Sequence, residues 1–285
     1  MGRRAVPYLE RFLREGRART IALPRTRAVR ALGELGAWPA LIAYFKQYER
    51  PDDAAVLFAE DAVRSAAARE LGRWKSDEVY KVLLDAARER ATSGLILTLG
   101  EFRKPESLPL LFAALDDDLC REEAKVALRR VPEVARQYAI LWLRGSITTE
   151  SYEVSAPRRR RATLQLLSEF GTTAEEWGDL RVFLQDRDAD VVIATATMGF
   201  RAGPQNDYEQ IIEALFRISM HLNWAQEDDL TRFLDHHREL AREVARRIVG
   251  ERQGRGERVN WLVPLWRILK HVLGAEMDSG VPGAA

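Results

Sequence analysis

Apolar positions recur along this chain at three- and four-residue steps, in short runs separated by breaks rich in proline, glycine and aspartate. Leu108, Leu111, Phe112 and Leu115 form one such set, and their spacing places them on one face of a helix. The ends of many runs look alike. "ALGELG" ending at Gly36, "RELGRW" at Trp74, "LTLGEF" at Phe102, "VALRRV" at Val131 and "QLLSEF" at Phe170 share one order, which "ATMGF" at Phe200 follows more weakly. An apolar residue is followed by a small or polar one, a variable one, then an apolar or aromatic one. Taking the small position as a marker gives Gly33, Gly72, Gly100, Arg129, Ser168 and Gly199, spaced by 39, 28, 29, 39 and 31 residues. A period of about 30 residues is the mark of a stacked array built from one repeated unit.

A second apolar-periodic run follows each marker, so the unit is helix, turn, helix. Pro39, Pro105 and Pro132 fall at or just before the predicted second helices, where a missing backbone N–H costs little. Acidic residues precede the predicted first helices: Asp61, Asp116 to Asp118, and Asp186, Asp188 and Asp190. Carboxylates at such places cap exposed amides and meet the positive end of the helix dipole. The segment from Arg4 to Leu13 matches a second helix with no first helix before it. It reads as the cap of the array or as the remainder of a longer chain.

Asp61, Val63, Arg64, Ala67, Ala68, Leu71 and Gly72, followed by the Pro105, Glu106, Pro109, Leu110, Leu111 and Leu115 pattern, resemble the HEAT-repeat family, in particular its short phycobilisome-lyase-type units. Arg129 and Ser168 depart from the glycine of that pattern, and Arg30 follows Val29 without an aspartate ahead of it. The resemblance implies an all-α, right-handed α-solenoid of about six to seven HEAT-like helical hairpins. The expected organisation is a half-repeat helix over 1–25, a repeat array over 26–203, and divergent helical repeats with a cap over 204–285, with a disordered tail from about 275. Two insertions interrupt the period, one from Glu49 to Asp61 and one from Arg144 to Arg161.

Composition fits that picture. With 46% apolar and 31% charged residues, the chain can fill a continuous core and solvate its outside. No apolar stretch approaches the roughly 20 residues that span a bilayer. The start lacks the apolar segment of a secretory signal, so a cytoplasmic location is expected. Cys120 is the one cysteine, which leaves no internal disulfide. Trp74, Trp142 and Trp177 read as core residues, whereas Trp224, Trp261 and Trp266 lie in the divergent C-terminal part.

The chemistry-bearing residues are few. His221, His236, His237 and His271 are the four histidines, and none is directly followed by glutamate, which sets the chain apart from the HEAT-like iron hydroxylases. Consecutive His236 and His237 diverge by about 100 degrees on a helix and make a poor metal pair. Trp177 and Asp179 are two residues apart and so point away from one another, which weakens a likeness to the HEAT-like DNA glycosylases. No phosphate loop, dinucleotide fingerprint or nucleophile elbow is present. The expected protein is therefore not an enzyme, with no cofactor, no metal and no membrane insertion.

Its expected function is that of a protein–protein interaction scaffold binding a partner through the second helices on a concave side. Aligning those helices nominates Lys81, Asp85, Arg136, Gln137, Asp179, Gln210 and Glu213 as partner-contacting residues. The alternative is nucleic-acid binding through Arg158, Arg159, Arg160 and Arg161, whose guanidinium groups have the chemistry to neutralise phosphates. The formal net charge of +1 argues against a surface that is basic throughout.

Overall fold

Sixteen α-helices and several short 3-10 turns, without a strand, make up the described residues of the computed structural model: 2–16, 20–148, 157–203, 207–219, 221–256 and 264–274. They divide into two compact units, Met1–Tyr138 and Ala139–Ala285, with the boundary inside one helix.

The first unit holds α1 (Val6–Glu15), α2 (Leu23–Glu34), α3 (Trp38–Lys46), α4 (Ala54–Leu71), α5 (Asp77–Glu89), α6 (Ser93–Phe102), α7 (Leu108–Ala113), α8 (Arg121–Arg129) and the start of α9 (Pro132–Thr148). First helices stack on first helices, α2 on α4, α4 on α6 and α6 on α8, while α1, α3 and α5 form the corresponding row of second helices. The half repeat at the start thus packs as a second helix does. In the second unit α10 (Pro157–Phe170), α12 (Ala189–Ala202), α14 (Trp224–His236) and α16 (Pro264–Leu273) make the first-helix row. Their partners are α11 (Ala174–Leu180), α13 (Tyr208–Ile218) and α15 (Arg238–Gly254). Seven helical hairpins, α2–α3 to α14–α15, follow one another along the described residues, and within each unit they stack in the all-α solenoid manner that the repeat predicts. The expected disordered tail from about 275 lies outside the described residues, as do 149–156 of the second insertion.

Each row follows from its sequence pattern. Along α5, Val79, Tyr80, Leu83, Leu84, Ala86 and Ala87 are buried while Asp77, Glu78, Lys81, Asp85 and Arg88 face solvent, an amphipathic helix with one covered face. By contrast α12, flanked by α10, α13 and α14, buries Val191 through Ala196 without a break. Burying a side chain the size of valine or leucine stabilises by about 1.5–3 kcal/mol. The row of first helices therefore carries much of the core.

The marker residues have a packing role. A Cβ added at Gly100 would stand 2.3 Å from the Ala127 Cβ and 2.6 Å from its Cα, so α6 and α8 approach where a side chain would not fit. Gly199 leaves room for the Trp177 ring, which a Cβ there would meet at 2.1 Å. The aromatic slot two residues beyond each marker is shallower than expected. Leu35, Trp74, Phe102 and Phe170 are all half-buried, because they lie at or just past the end of the first helix, at the rim of the stack.

Pro39 and Pro132 open their helices as expected, and Asp188 caps α12 by accepting the Asp190 and Val191 amides at 2.9 and 3.2 Å. Asp61 does not open a helix. Asp53 accepts the amides of Ala55 and Val56, both at 2.9 Å, and α4 starts there. With no proline or glycine between 54 and 71 to break it, α4 absorbs most of the first insertion and places Asp61 in its middle. The Asp61 carboxylate is instead gripped by Arg90 through Nε at 2.7 Å and Nη2 at 2.5 Å.

Candidate binding surfaces

The second helices expose most of the nominated contact residues. In the first unit Lys81 and Asp85 stand one turn apart on the open face of α5, with Asp85 accepting from Arg88 at 3.2 Å. Gln137 on α9 is exposed and Arg136 beside it is half-buried. In the second unit Gln210 and Glu213 share the open face of α13, three residues apart, and Asp179 on α11 is exposed and paired with Arg144 at 2.5 Å. The structure thus groups the seven residues into two sets, four in one unit and three in the other.

The four consecutive arginines go to four different surroundings. Arg158 is exposed, and Arg159 is half-buried with its guanidinium 5.5 Å from the centre of the Trp142 ring. Arg160 is only 4% exposed and lies 3.0 Å from Asp186, itself 3% exposed. Arg161 bridges Asp190, at 3.1 Å, and Asp229. Arg160 and Arg161 are therefore met by carboxylates of the same unit.

A rule absent from the sequence reading explains Arg160. Arg25, Arg64, Arg121 and Arg160 each stand eight residues before a marker, at Gly33, Gly72, Arg129 and Ser168. Arg25 is 1% exposed and pairs with the equally buried Glu60 of α4, whose other oxygen accepts the Tyr44 hydroxyl at 2.6 Å. Burial and the neighbouring Glu60 charge push the Tyr44 phenol well above its ordinary range. Arg64 is fully buried, donates to the Ala86 carbonyl at 2.8 Å and lies 3.7 Å from the centre of the Tyr48 ring. Arg121 donates to the Leu115 carbonyl at 2.9 Å. The slot holds a guanidinium that ties neighbouring elements together, and counting back from four of the six markers finds it; Gly100 and Gly199 give Thr92 and Val191 instead. In the first repeat it is Arg25 that fills the slot, not Arg30, which is exposed.

Other singled-out residues separate in the same way. Trp177 is 1% exposed and donates through Nε1 to Asp207 at 2.7 Å, while Asp179 faces solvent, so the two line no common pocket. His237 packs 4.1 Å from the Phe200 ring and 4.7 Å from the Phe233 ring. Burial, the adjacent His236 and Arg201 lower its pKa. His236 turns the other way, its Nδ1 2.6 Å from the Arg232 carbonyl. Cys120 is 1% exposed, and burial with the Asp117 charge pushes its thiol up to about 12, which keeps it out of the reactive thiolate form. Among the described residues, no group of three or more His, Cys, Asp and Glu side chains is placed to hold a metal ion, and no helix is long and apolar enough to cross a membrane. Trp224 is 82% exposed at the start of α14. Trp261 and the Trp266 side chain lie outside what is described.

Two hollows open on the first-helix rows, away from the nominated second-helix residues. One, of about 540 Å³, runs along α10, α12 and α14 and is lined by Arg161, Asp190, Arg201, Asp229, Arg232 and His237 among others. Burial and the nearby Asp188 and Asp229 charges raise the Asp190 pKa against the opposing pull of Arg161. The other, of about 380 Å³, lies in the first unit against the N-terminus of α6, with Phe58, Asp61, Thr92, Asp117 and Leu119 in its lining. Phe58 and Leu119 are 69% and 67% exposed at its edge.

No curated protein matches the chain. Residues 55–129 match the family model for HEAT repeats, a span that runs from the start of α4 to the end of α8. The match is to HEAT repeats at large and does not single out the phycobilisome-lyase type. Over that span the chain is similar to HEAT repeats, and α2 with α3 in the same unit and the hairpins of the second unit repeat the helix–turn–helix plan outside it.

Proposed function

We propose that this array is a non-catalytic protein-interaction scaffold whose partner lies against the exposed positions of its second helices. One observation carries the reading. The open faces of α5, α9, α11 and α13 present Lys81 and Arg136 together with Asp85, Asp179 and Glu213, interspersed with the amides of Gln137 and Gln210. A mosaic of both signs and amides complements a protein surface, whereas a polyanion is held by cations that no carboxylate offsets. HEAT-repeat proteins commonly work as such scaffolds, and in this reading the chain uses no cofactor and works in the cytoplasm.

The test is affinity capture from source-cell lysate with the tagged chain, with and without nuclease, alongside a Lys81→Glu/Arg136→Glu variant. The expected result is a protein retained under nuclease and lost by the variant, with the variant's melting temperature unchanged. Retention by the variant would discard this face. Capture that nuclease abolishes would move the function to nucleic acid, and an Arg158→Ala/Arg159→Ala variant would then locate it while leaving the buried Arg160 in place.

A further inference from the structure

We infer that the hollow at the N-terminus of α6 is a second docking site, shaped for a partner segment that inserts a bulky apolar side chain flanked by a carboxylate. The inference rests on the scaffold reading only for its premise that the partner is a protein. It concerns a different face.

Two of the six repeats break the arginine rule, and they differ: Val191, eight residues before Gly199, is an apolar residue packed in the core, whereas the other place borders the hollow. Eight residues before Gly100, where Arg25, Arg64, Arg121 and Arg160 stand relative to their own markers, the chain has Thr92. A short side chain replaces a long guanidinium, and space of about 380 Å³ opens beside it. That volume lies in the range of sites that take a small ligand or an inserted side chain. Thr92 is 5% exposed, and its hydroxyl has no hydrogen-bond partner. It occupies the N-cap of α6 without capping it, and the Gly94 amide is served instead by the Ser65 hydroxyl at 3.3 Å. Buried polar groups are satisfied in most folded proteins, so an idle hydroxyl in the wall of an open hollow is a place for a ligand to bind.

Asp61, Asp117, Arg69 and Arg90 balance in formal charge, so the amide end of α6 beside the idle Thr92 hydroxyl is what tips the hollow toward an anion next to the apolar group. Asp61 and Arg90 form a closed two-point pair and contribute no net charge. Arg69 is exposed and makes no ion pair among the described residues, and the N-terminus of α6 adds its positive dipole end. Asp117 is the lining carboxylate outside an ion pair, and one of its oxygens already accepts the Leu119 amide at 2.8 Å. At the edge, Phe58 and Leu119 expose most of their surface and would be covered by an inserted apolar side chain.

A random-peptide display library selected on the full chain tests this, with enriched peptides synthesised and titrated against wild type and variants. Enriched peptides should share a bulky aliphatic or aromatic residue next to Asp or Glu. Phe58→Ala/Leu119→Ala should weaken them about tenfold or more, as truncation of central apolar contacts does. Arg69→Glu should cost about two- to fivefold, the scale of an exposed charge contact. Thr92→Val, which removes only the idle hydroxyl, should weaken binding while leaving the melting temperature equal or higher. Peptides that bind all three variants as well as wild type, peptides selected for basic residues, or no enrichment at all would overturn the inference. Lys81→Glu/Arg136→Glu separates the two surfaces. Peptide binding should survive that variant whether or not lysate capture is lost, so either face can fail without the other.

Discussion

Arg25 in the first unit and Arg160 in the second occupy the same place in their repeats, yet each finds its countercharge differently. Arg25 reaches Glu60, inside the next first helix and 35 residues on. Arg160 reaches Asp186, in the turn before the next first helix and 26 residues on. The position of the cation is set by the repeat, whereas the anion comes from whichever neighbouring segment can reach. Arg64 carries the contrast further, since its carboxylate, the half-exposed Glu89, stands 3.9 Å away while the Ala86 carbonyl of α5 is nearer, at 2.8 Å, and the guanidinium lies over the Tyr48 ring. A run of four arginines in the sequence is thus one buried structural group with three neighbours, rather than a single basic patch.

The largest expected effect comes from breaking a buried pair. Arg160→Ala or Arg25→Ala leaves Asp186 or Glu60 buried without its countercharge and should cost about 3–5 kcal/mol in a denaturant melt. Replacing both members, as Arg25→Met with Glu60→Leu, should recover most of that loss, because the penalty belongs to the uncompensated charge. If the double variant is as unstable as the single ones, the pair holds the fold by geometry rather than by charge.

Next is the marker glycine. Gly100→Ala gains up to about 1 kcal/mol of helix propensity. It also drives a Cβ to within 2.6 Å of the Ala127 backbone, and α8 must shift to admit it. Overpacking of that kind costs about 1–3 kcal/mol, so the net change is destabilising and Gly100→Val is worse. Arg129, which holds the marker place in the following repeat, is exposed, and Arg129→Ala should leave the melt nearly unchanged.

Acid should loosen the second unit more than the first. His237 sits against Phe200 and Phe233 with Arg201 and His236 nearby, and its folded pKa lies below the ordinary value. The unfolded chain therefore takes up the proton first. The stability from the neutral ring is present above about pH 6.5 and declines as the pH falls below it. His237→Gln should flatten that part of a pH–stability curve. The smallest change is kinetic: with a thiol pKa of about 12, Cys120 should resist iodoacetamide at pH 8 in the folded chain and react readily in urea.

Much of the fold was legible because a solenoid writes its period into the chain. The markers, the prolines at helix starts, the Asp188 cap and the buried Trp177 all follow from local rules that packing did not override. What escaped involved contacts across repeats. Asp61 looks like a cap, and only the uninterrupted stretch from Ala54 shows that the helix has already begun at Asp53. Arg160 looks like one of four equal charges until the register is counted back from Ser168. The α6 hollow lies beside a threonine in a place that four of the six repeats fill with arginine, and Val191 in the same place borders no such hollow, so the substitution alone does not announce it. The nominated second-helix residues were legible as exposed positions, since exposure follows the helical period, but what they touch is not written in one chain.

The most direct test of this account is a set of four melts, with Arg158, Arg159, Arg160 and Arg161 replaced by alanine one at a time. The account predicts a loss of about 3–5 kcal/mol for Arg160→Ala, from a stranded buried carboxylate. It predicts a change within about 0.5 kcal/mol for the exposed Arg158→Ala, with Arg159→Ala and Arg161→Ala between the two. Four equal changes, or an Arg160→Ala variant as stable as the wild type, would contradict it.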